Sequence, residues 1–342
     1  MGDRWMKKVV ILNAMLHSAG EEFLAERNIQ IEKVPMDSPI PNANVIEKVK
    51  DADGLIVRLP AGVNRELIEA APQLKVIATS GTGSDHIDIN ASNEHNIPVV
   101  NNAGVGALPV AEHAVGLMLA LGKRIVTSEQ QLRKKGWVSR EQFLNEKIGT
   151  ELSGKTIGII GFGFIGQTLA KILKNGFGVE LLVYDPVISN EMIESAGATQ
   201  CDSVKELSEK SDYVSIHVPH NKHTHHLINR EILDSMKPSA FLINCARGGV
   251  IDQDELVKAI KEKRIAGAGI DVFPEEPPQL SDEIFSLNEV IVTPHIAGIT
   301  EETNRKLSLS AAKQVLQVLE GEKPESLVNV AVWENRRVAI ER

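Results

Sequence analysis

Residues 155–185 read Lys155-Thr-Ile-Gly-Ile-Ile160, then Gly161-Phe-Gly163-Phe164-Ile165-Gly166, then Gln167-Thr-Leu-Ala-Lys-Ile-Leu-Lys174, and end on Leu181-Leu-Val-Tyr-Asp185. A Gly-x-Gly-x-x-Gly spacing alone is a weak signal, because glycines also mark ordinary turns. Here an apolar, β-rich run precedes it and an amphipathic helical run follows. Asp185 then closes the next apolar run, 19 residues after Gly166. That context predicts a βαβ unit that binds a dinucleotide. Gly161 permits the tight turn, Gly163 lets the backbone approach a pyrophosphate, and Gly166 lets helix and strand pack closely. The helix N-terminus offers free amides and a partial positive charge to the phosphates. The competing reading is an unrelated βαβ turn with a surface aspartate.

Asp185 bears on which nicotinamide cofactor is used. A carboxylate at the end of the second strand accepts hydrogen bonds from the adenine-ribose hydroxyls and repels a 2′-phosphate. Pro186 and Val187 follow it, with no arginine to receive that phosphate. The expectation is NAD rather than NADP.

The 342 residues are enough for two domains of ordinary size, and 42% hydrophobic content supports a full core. The net charge of −9 argues against nucleic acid as the main partner. Two cysteines, Cys201 and Cys245, provide no disulfide framework and fit a reducing cytoplasm. Residues 1–8 lead directly into Val9-Val-Ile-Leu12, which reads as a first strand rather than a leader peptide. No stretch approaches the length of a membrane span, so no membrane association is expected.

Strand-like and helix-like runs alternate along most of the chain, which predicts α/β layers and doubly wound parallel sheets. Short strands are expected at 8–12, 30–34, 54–58, 75–79 and 97–100, with helices such as Ala19–Arg27 and Arg65–Ala70 between them. A long apolar helix is expected from Pro109 to Arg124, with proline in its first turn and Lys123 and Arg124 in its last. Residues 127–150 read as a polar segment carrying Trp137 and Phe143. A second α/β array spans Lys155 to about Ile296, and 300–321 is again helical, ending at Gly321. The long helix and the final helix are expected to cross between the arrays. The domains are then 1–106 with 299–342, discontinuous and flavodoxin-like, and 107–298, a Rossmann domain, with a cleft between them.

Three further segments place polar groups just beyond apolar runs: Phe241-Leu-Ile-Asn-Cys-Ala-Arg247-Gly-Gly, Gly269-Ile-Asp271-Val-Phe-Pro-Glu-Glu276-Pro-Pro, and Val290-Ile-Val-Thr-Pro-His295-Ile-Ala-Gly298. In open parallel sheets ligands sit at the carboxyl ends of strands, so Arg247, Asp271, Glu276 and His295 are expected to converge. Hydride transfer to a ketone leaves negative charge on oxygen and calls for a proton donor. Histidine titrates near neutrality and can donate and reload. A neighbouring carboxylate favours the charged ring, and arginine forks onto a carboxylate or carbonyl oxygen. Arg247 is thus read as anchor and polariser, His295 as acid/base and Glu276 as its orienting partner. Taken singly, each has a plainer alternative: a surface turn for Arg247, solvated loop acids for Glu275 and Glu276, a helix cap for His295.

Over nearly its whole length the chain resembles the D-isomer-specific 2-hydroxyacid dehydrogenases, which include D-3-phosphoglycerate dehydrogenases, glyoxylate/hydroxypyruvate reductases and D-lactate dehydrogenases. The resemblance rests on Gly161–Gly166 with Asp185, Asn244-Cys-Ala-Arg247-Gly-Gly-Val-Ile-Asp252, Asp271-Val-Phe-Pro-Glu-Glu276-Pro, and Pro294-His295-Ile-Ala-Gly298. It implies that Arg247, Glu276 and His295 are the catalytic set, and that Asp271 receives the nicotinamide carboxamide. It implies that Phe164 and Ile165 meet the pyrophosphate through backbone amides, that His217, Val218 and Pro219 line the adenine side, and that Thr224 lies near the phosphates. Cys245, Ala246, Arg247, His295 and Gly298 are assigned to the cofactor as well, and Arg247 and His295 also to the substrate. It also gives meaning to Ser80-Gly81-Thr82-Gly83-Ser84-Asp85, whose backbone amides at Thr82 and Gly83 would bind the substrate carboxylate. A plain strand-to-helix turn is the alternative. A homodimer built through the long helix and the 127–150 arm is expected on the same ground.

Two departures narrow the substrate. Many phosphoglycerate-type members read Val-Arg-Ser-x-Thr where this chain reads Val57-Arg58-Leu59-Pro60-Ala61. Arg58 remains as a substrate-binding candidate, but both hydroxyl positions are apolar or prolyl. No regulatory domain is read after residue 330. Both favour a small or less charged 2-oxo acid. Ser84-Asp85-His86-Ile-Asp88 also resembles formate dehydrogenases, which pair glutamine with the histidine, so Glu276 argues against formate. His220, His223, His225 and His226 cluster locally without cysteine or carboxylate at a known ligand spacing, and a solvated loop is preferred to a metal site. The expected activity is NAD-dependent interconversion of a 2-oxo acid and its D-2-hydroxy acid. Its rivals are a D-3-phosphoglycerate dehydrogenase acting on a di-anionic acid and a non-catalytic NAD-sensing protein resembling corepressors of this fold.

Overall fold

The structure, a computed structural model, describes residues 7–13, 15–146 and 148–337. The reading that the N-terminal residues are not a leader peptide falls on residues 1–6, which lie outside the described residues. The chain divides into two compact units, Met1–Gly106 with Ile299–Arg342, and Ala107–Gly298.

The first unit alternates β1 (Lys8–Leu12), α1 (Ala19–Ala25), β2 (Gln30–Val34), α2 (Ala43–Val49), β3 (Gly54–Val57), α3 (Arg65–Ala70), β4 (Val76–Thr79), α4 (Ile89–Glu94) and β5 (Val99–Val100). The strands are short and β1, β3 and β4 are buried from end to end. Strands covered by helices on both faces read as continuous apolar runs rather than alternating ones. All pairings are parallel, in the order β2-β1-β3-β4-β5. This is the flavodoxin-like order, with its topological switch point between β1 and β3.

The second unit opens with α5 (Ala107–Gly122), then α6 (Ile125–Lys135) and α7 (Arg140–Asn145). A parallel array follows: β6 (Thr156–Ile160), α8 (Phe164–Phe177), β7 (Glu180–Tyr184), α9 (Asn190–Ser195), β8 (Thr199–Gln200), α10 (Val204–Lys210), β9 (Tyr213–Ile216), α11 (Arg230–Ser235), β10 (Phe241–Asn244), α12 (Gln253–Lys261), β11 (Gly267–Ile270) and β12 (Val290–Val292). Its order is β12-β11-β10-β9-β6-β7-β8, the Rossmann arrangement with one extra strand and a switch point between β6 and β9. The chain then returns to the first unit through α13 (Glu301–Glu320), which Thr300 caps by accepting the Thr303 amide and Gly321 ends at φ 88°.

Three expectations change. The long helix stops at Gly122 because Arg124 takes a left-handed conformation, φ 56°, and a separate helix follows at once. Residues 125–145 are thus largely helical, although the segment is too polar for apolar periodicity to show it. The two long helices also do not straddle the arrays. α5 packs on α8, β10 and β11, whereas α13 packs on α1, β3 and β4, each inside its own unit. Among the described residues no helix is long and apolar enough to cross a membrane.

Candidate active site

In the second unit, six consecutive sheet neighbours, β12-β11-β10-β9-β6-β7, end in polar or glycine-rich loops at their carboxyl ends. The turn after β6 depends on its glycines. Gly161 has φ +92°, and a Cβ there would come within 2.6 Å of the His217 carbonyl oxygen. A Cβ on Gly166 would overlap the Gly161 carbonyl, so α8 rests directly on the turn. Gly163 differs, since a Cβ there would meet nothing within 4 Å. It is also the N-cap of α8 and supplies no side-chain cap, which leaves the first amides of the helix for another partner.

Asp185 follows β7 and accepts three amides: Phe162 N–H at 2.7 Å on Oδ2, Val187 N–H at 2.8 Å and Ile188 N–H at 3.1 Å on Oδ1. It therefore ties the glycine turn to β7. A carboxylate offers about four lone-pair sites, so one remains, on Oδ2.

His217 follows β9. Its Nε2 lies 2.8 Å from Ser215 Oγ, while its Nδ1 is enclosed without a partner. Burial pushes this imidazole down to about 4. The ring is neutral in the folded chain near pH 6 and partly charged in the unfolded chain, whose histidines titrate near 6.5. Its contribution to stability is therefore complete above about pH 6.5 and is lost as the pH falls towards 4. We expect the urea unfolding free energy to drop by about 2–3 kcal/mol across that window, and a His217→Asn variant to lose most of the dependence. A parent whose stability stays flat between pH 6.5 and 4 would contradict this.

Arg247, Asp271, Glu276 and His295 are organised around the ends of β10, β11 and β12. Asn244, fully buried at the end of β10, folds the first loop by accepting the Ala246 amide at 3.0 Å and donating to the Arg247 carbonyl at 3.0 Å. The Arg247 guanidinium donates to the Ala246 carbonyl at 2.7 Å. Gly248 brings this loop against the next, because any Cβ there would overlap the Phe273 carbonyl and the Pro274 nitrogen. The Arg247 charge consequently acts on Glu276. Gly248→Ala must push two backbones apart, and we expect a loss of about 3 kcal/mol in unfolding free energy. A variant as stable as its parent would show that the two loops have room to spare.

Glu276 and His295 form the closest pair, with His295 Nδ1 2.6 Å from Glu276 Oε2; the other carboxylate oxygen accepts the Phe273 amide at 3.0 Å. Partial burial pushes the Glu276 carboxyl up. The His295 bond, the Phe273 amide and the Arg247 charge outweigh it and hold the group below its ordinary range. His295 itself is in the left-handed region, φ 53°, and its amide donates to the carbonyls of Asp271 (2.8 Å) and Thr293 (3.1 Å). Asp271 is fully buried. Its Oδ1 accepts the Thr293 hydroxyl at 2.5 Å and the Ile296 amide at 2.9 Å, and its Oδ2 accepts the Ala297 amide at 2.9 Å. Sequence reasoning assigned Asp271 a ligand contact; the structure shows it fastening the His295 loop, with one acceptor site left on Oδ2. Cys245 is buried, and burial together with the Asp271 charge pushes its thiol up, so it is an uncharged wall rather than a nucleophile.

The fragment Asn244-Cys-Ala-Arg247, the 2.6 Å His295–Glu276 pair and the glycine turn thus occupy one strand-end row. The family profile described as D-isomer specific 2-hydroxyacid dehydrogenase, NAD binding domain, matches residues 115–297. The chain belongs to the D-isomer-specific 2-hydroxyacid dehydrogenases. It is 39% identical over 326 residues to the glyoxylate reductase of Thermococcus litoralis, covering 95% of this chain and 97% of that enzyme. It is also 39% identical over 325 residues to the D-3-phosphoglycerate dehydrogenase of Methanocaldococcus jannaschii, covering 95% of this chain but 60% of that longer protein. The solved NADPH-dependent glyoxylate/hydroxypyruvate reductase of Sinorhizobium meliloti has a TM-score of 0.82 and 26% identity, covering 98% of this chain and 99% of that one. Family membership places the chain among oxidoreductases that use NAD(H) or NADP(H).

The remaining candidates of this dehydrogenase are more dispersed. Thr224 closes its own turn, its hydroxyl donating to the Pro219 carbonyl at 2.6 Å and accepting the Asn221 amide at 2.8 Å. The histidine cluster is exposed, with His220 Nε2 3.1 Å from His225 Nδ1 and His225 stacked on His226. Among the described residues no group of three or more His, Cys, Asp or Glu is placed to hold a metal ion. In the first unit, Arg58 follows β3 and the 80–85 loop follows the neighbouring β4. Sequence reasoning missed Asn102, almost fully buried, which holds this loop by donating to the carbonyls of Thr79 and Gly81, each at 3.0 Å. It missed His113 as well, whose Nε2 lies 3.1 Å from Thr293 Oγ1. The polar pair Glu112-His113 in the otherwise apolar run 109–122 was the only signal for it.

Proposed function

We propose that this chain is an NAD-dependent dehydrogenase that interconverts a small 2-oxo acid and its D-2-hydroxy acid. The observation that carries the reading is the His295–Glu276 pair at 2.6 Å, at a strand end and within the influence of Arg247. The second unit fits a dinucleotide: an open Gly163, uncapped helix amides, an unpartnered His217 Nδ1 and one unused Asp185 lone pair all lie around β6, β7 and β9. In this reading Gly161, Gly163 and Gly166 shape the pyrophosphate turn, and the amides of Phe164 and Ile165 hold the phosphates near Thr224. Asp185 takes the ribose, His217, Val218 and Pro219 line the adenine, and Cys245, Ala246, Asp271 and Gly298 border the nicotinamide. Arg58 and the amides of Thr82 and Gly83, at strand ends of the first unit, take the acid's anionic groups.

When bound, the nicotinamide supplies or accepts a hydride at the substrate carbon. His295 gives Nδ1–H to Glu276, which leaves Nε2 to exchange a proton with the substrate oxygen. During reduction the charged ring donates that proton as the carbonyl oxygen becomes a hydroxyl. During oxidation the neutral ring takes it back. Glu276 orients the ring and stabilises its charged form, while Arg247 anchors the carboxylate and polarises the carbonyl.

Asp185 is the basis for NAD. We expect kcat/KM for NADH to exceed that for NADPH by about ten-fold or more, and Asp185→Asn to narrow the ratio by a similar factor. An unchanged ratio in the variant would count against the ribose contact. A di-anionic acid is the second reading, favoured by Arg58 at the end of β3. A homodimer is proposed through α5 and the 127–150 arm, where Trp137 is 76% and Ile148 63% exposed. Two free buried cysteines accord with a reducing cytoplasm.

A further inference from the structure

We infer that His113, on α5, is a positioning residue for proton transfer, holding the His295 loop in place through Thr293 and Asp271. The inference rests on His295 being the acid/base of the reaction proposed above.

His295 occupies a left-handed backbone conformation, φ 53°, that is uncommon for a residue other than glycine. Asp271 holds this loop in place. The Asp271 carbonyl accepts the His295 amide, and its buried carboxylate accepts the next two amides, Ile296 and Ala297, together with the Thr293 hydroxyl. The three donors to this carboxylate, Thr293, Ile296 and Ala297, all lie on the loop that it organises. His113 comes from outside, on a 16-residue helix packed against β10 and β11. Its Nε2 is 3.1 Å from Thr293 Oγ1 and 3.7 Å from Asp271 Oδ1.

Counting protons gives the direction of the relay. A carboxylate only accepts, so the single hydroxyl proton of Thr293 points to Asp271 Oδ1 at 2.5 Å. Thr293 Oγ1 must then accept from His113, which fixes a proton on Nε2 of that ring. The order is His113 N–H to Thr293 O–H to the Asp271 carboxylate. Without the His113 donor, Thr293 loses its tether to the helix and is freer to turn, and Asp271 keeps only partners that move with the loop. His295 Nε2 then wanders from the substrate oxygen, while the glycine turn after β6 and the Asp185 contacts remain unaltered.

The test compares His113→Phe, His113→Gln, Thr293→Val and the His113→Phe/Thr293→Val pair, with His295→Ala as reference. Each is assayed for NADH binding by fluorescence, for thermal midpoint, and for kcat and KM of oxo-acid reduction. We expect His113→Phe and Thr293→Val each to lower kcat by about 10–100-fold, the scale of a misplacement near 1 Å. NADH affinity and the acid KM should stay within about three-fold. The double variant should be no slower than the slower single one, because both break one relay. Glutamine at 113 retains an N–H donor and should recover most of kcat. Multiplying losses in the double variant, no recovery with glutamine, or single variants within about two-fold of the parent would overturn the inference. If His113→Phe does not fold, Thr293→Val and His113→Gln decide between the same outcomes. An active His295→Ala would instead remove the acid/base assignment itself, so the two failures are distinct.

Discussion

His295→Ala is expected to lower kcat for oxo-acid reduction at neutral pH by about 10²–10⁴-fold, the usual contribution of a positioned general acid. The loss should fall on turnover, because the glycine turn, Asp185 and His217 that serve the dinucleotide in our reading are elsewhere along the sheet. The parent's pH profile follows from the same pair. Reduction requires the charged ring and oxidation the neutral one, so raising the pH should slow reduction and lowering it should slow oxidation. Glu276 is held below its ordinary carboxylate range and stays ionised through both limbs, so neither limb belongs to it. Initial rates in both directions, with NADH binding measured alongside, check this. A fully active His295→Ala enzyme would remove His295 as the acid.

Arg247→Ala should cost nearly as much, by a different route. Removing the anchor of a buried carboxylate forfeits about 2–5 kcal/mol, or about 30- to 4,000-fold in kcat/KM. Both KM and kcat should suffer, since the same guanidinium holds the acid and polarises its carbonyl. Lysine should restore little, because the planar fork is what matches a carboxylate. The loop itself should survive, because Asn244 folds it through backbone groups of residues 246 and 247. Steady-state kinetics with an NADH binding titration separates the outcomes. A variant that no longer bound NADH would show that Arg247 serves the cofactor and not the acid.

Much of this arrangement was legible in the chain itself. Fully apolar strands such as Gly54–Val57 and Ile157–Ile160 mark parallel sheets, and the Gly161–Gly166 turn marks the switch point between β6 and β9. Asp185, Asp271 and His295 were visible as polar residues just past such runs. What they touch was not. Spacing cannot show that Asp185 already accepts three amides, or that Asp271 is sealed under the His295 loop, because those partners are backbone amides without a side-chain signature. Helices α6 and α7 escaped because a polar helix carries no apolar stripe. Asn102 and His113 escaped because their partners are 20 or more residues away in sequence.

Reduction of a small 2-oxo acid with NADH can be checked with one panel of acids. NADH and NADPH oxidation is followed with glyoxylate, hydroxypyruvate, pyruvate, phenylpyruvate, 2-oxoglutarate and 3-phosphohydroxypyruvate, and the configuration of any chiral product is determined. Turnover with NADH is expected on one or two of the small, singly charged acids, yielding the D-hydroxy acid where the product is chiral. Turnover confined to the phosphorylated acid would assign Arg58 a second anion. No turnover on any acid, with NADH still bound, would rule out the dehydrogenase and leave a dinucleotide sensor.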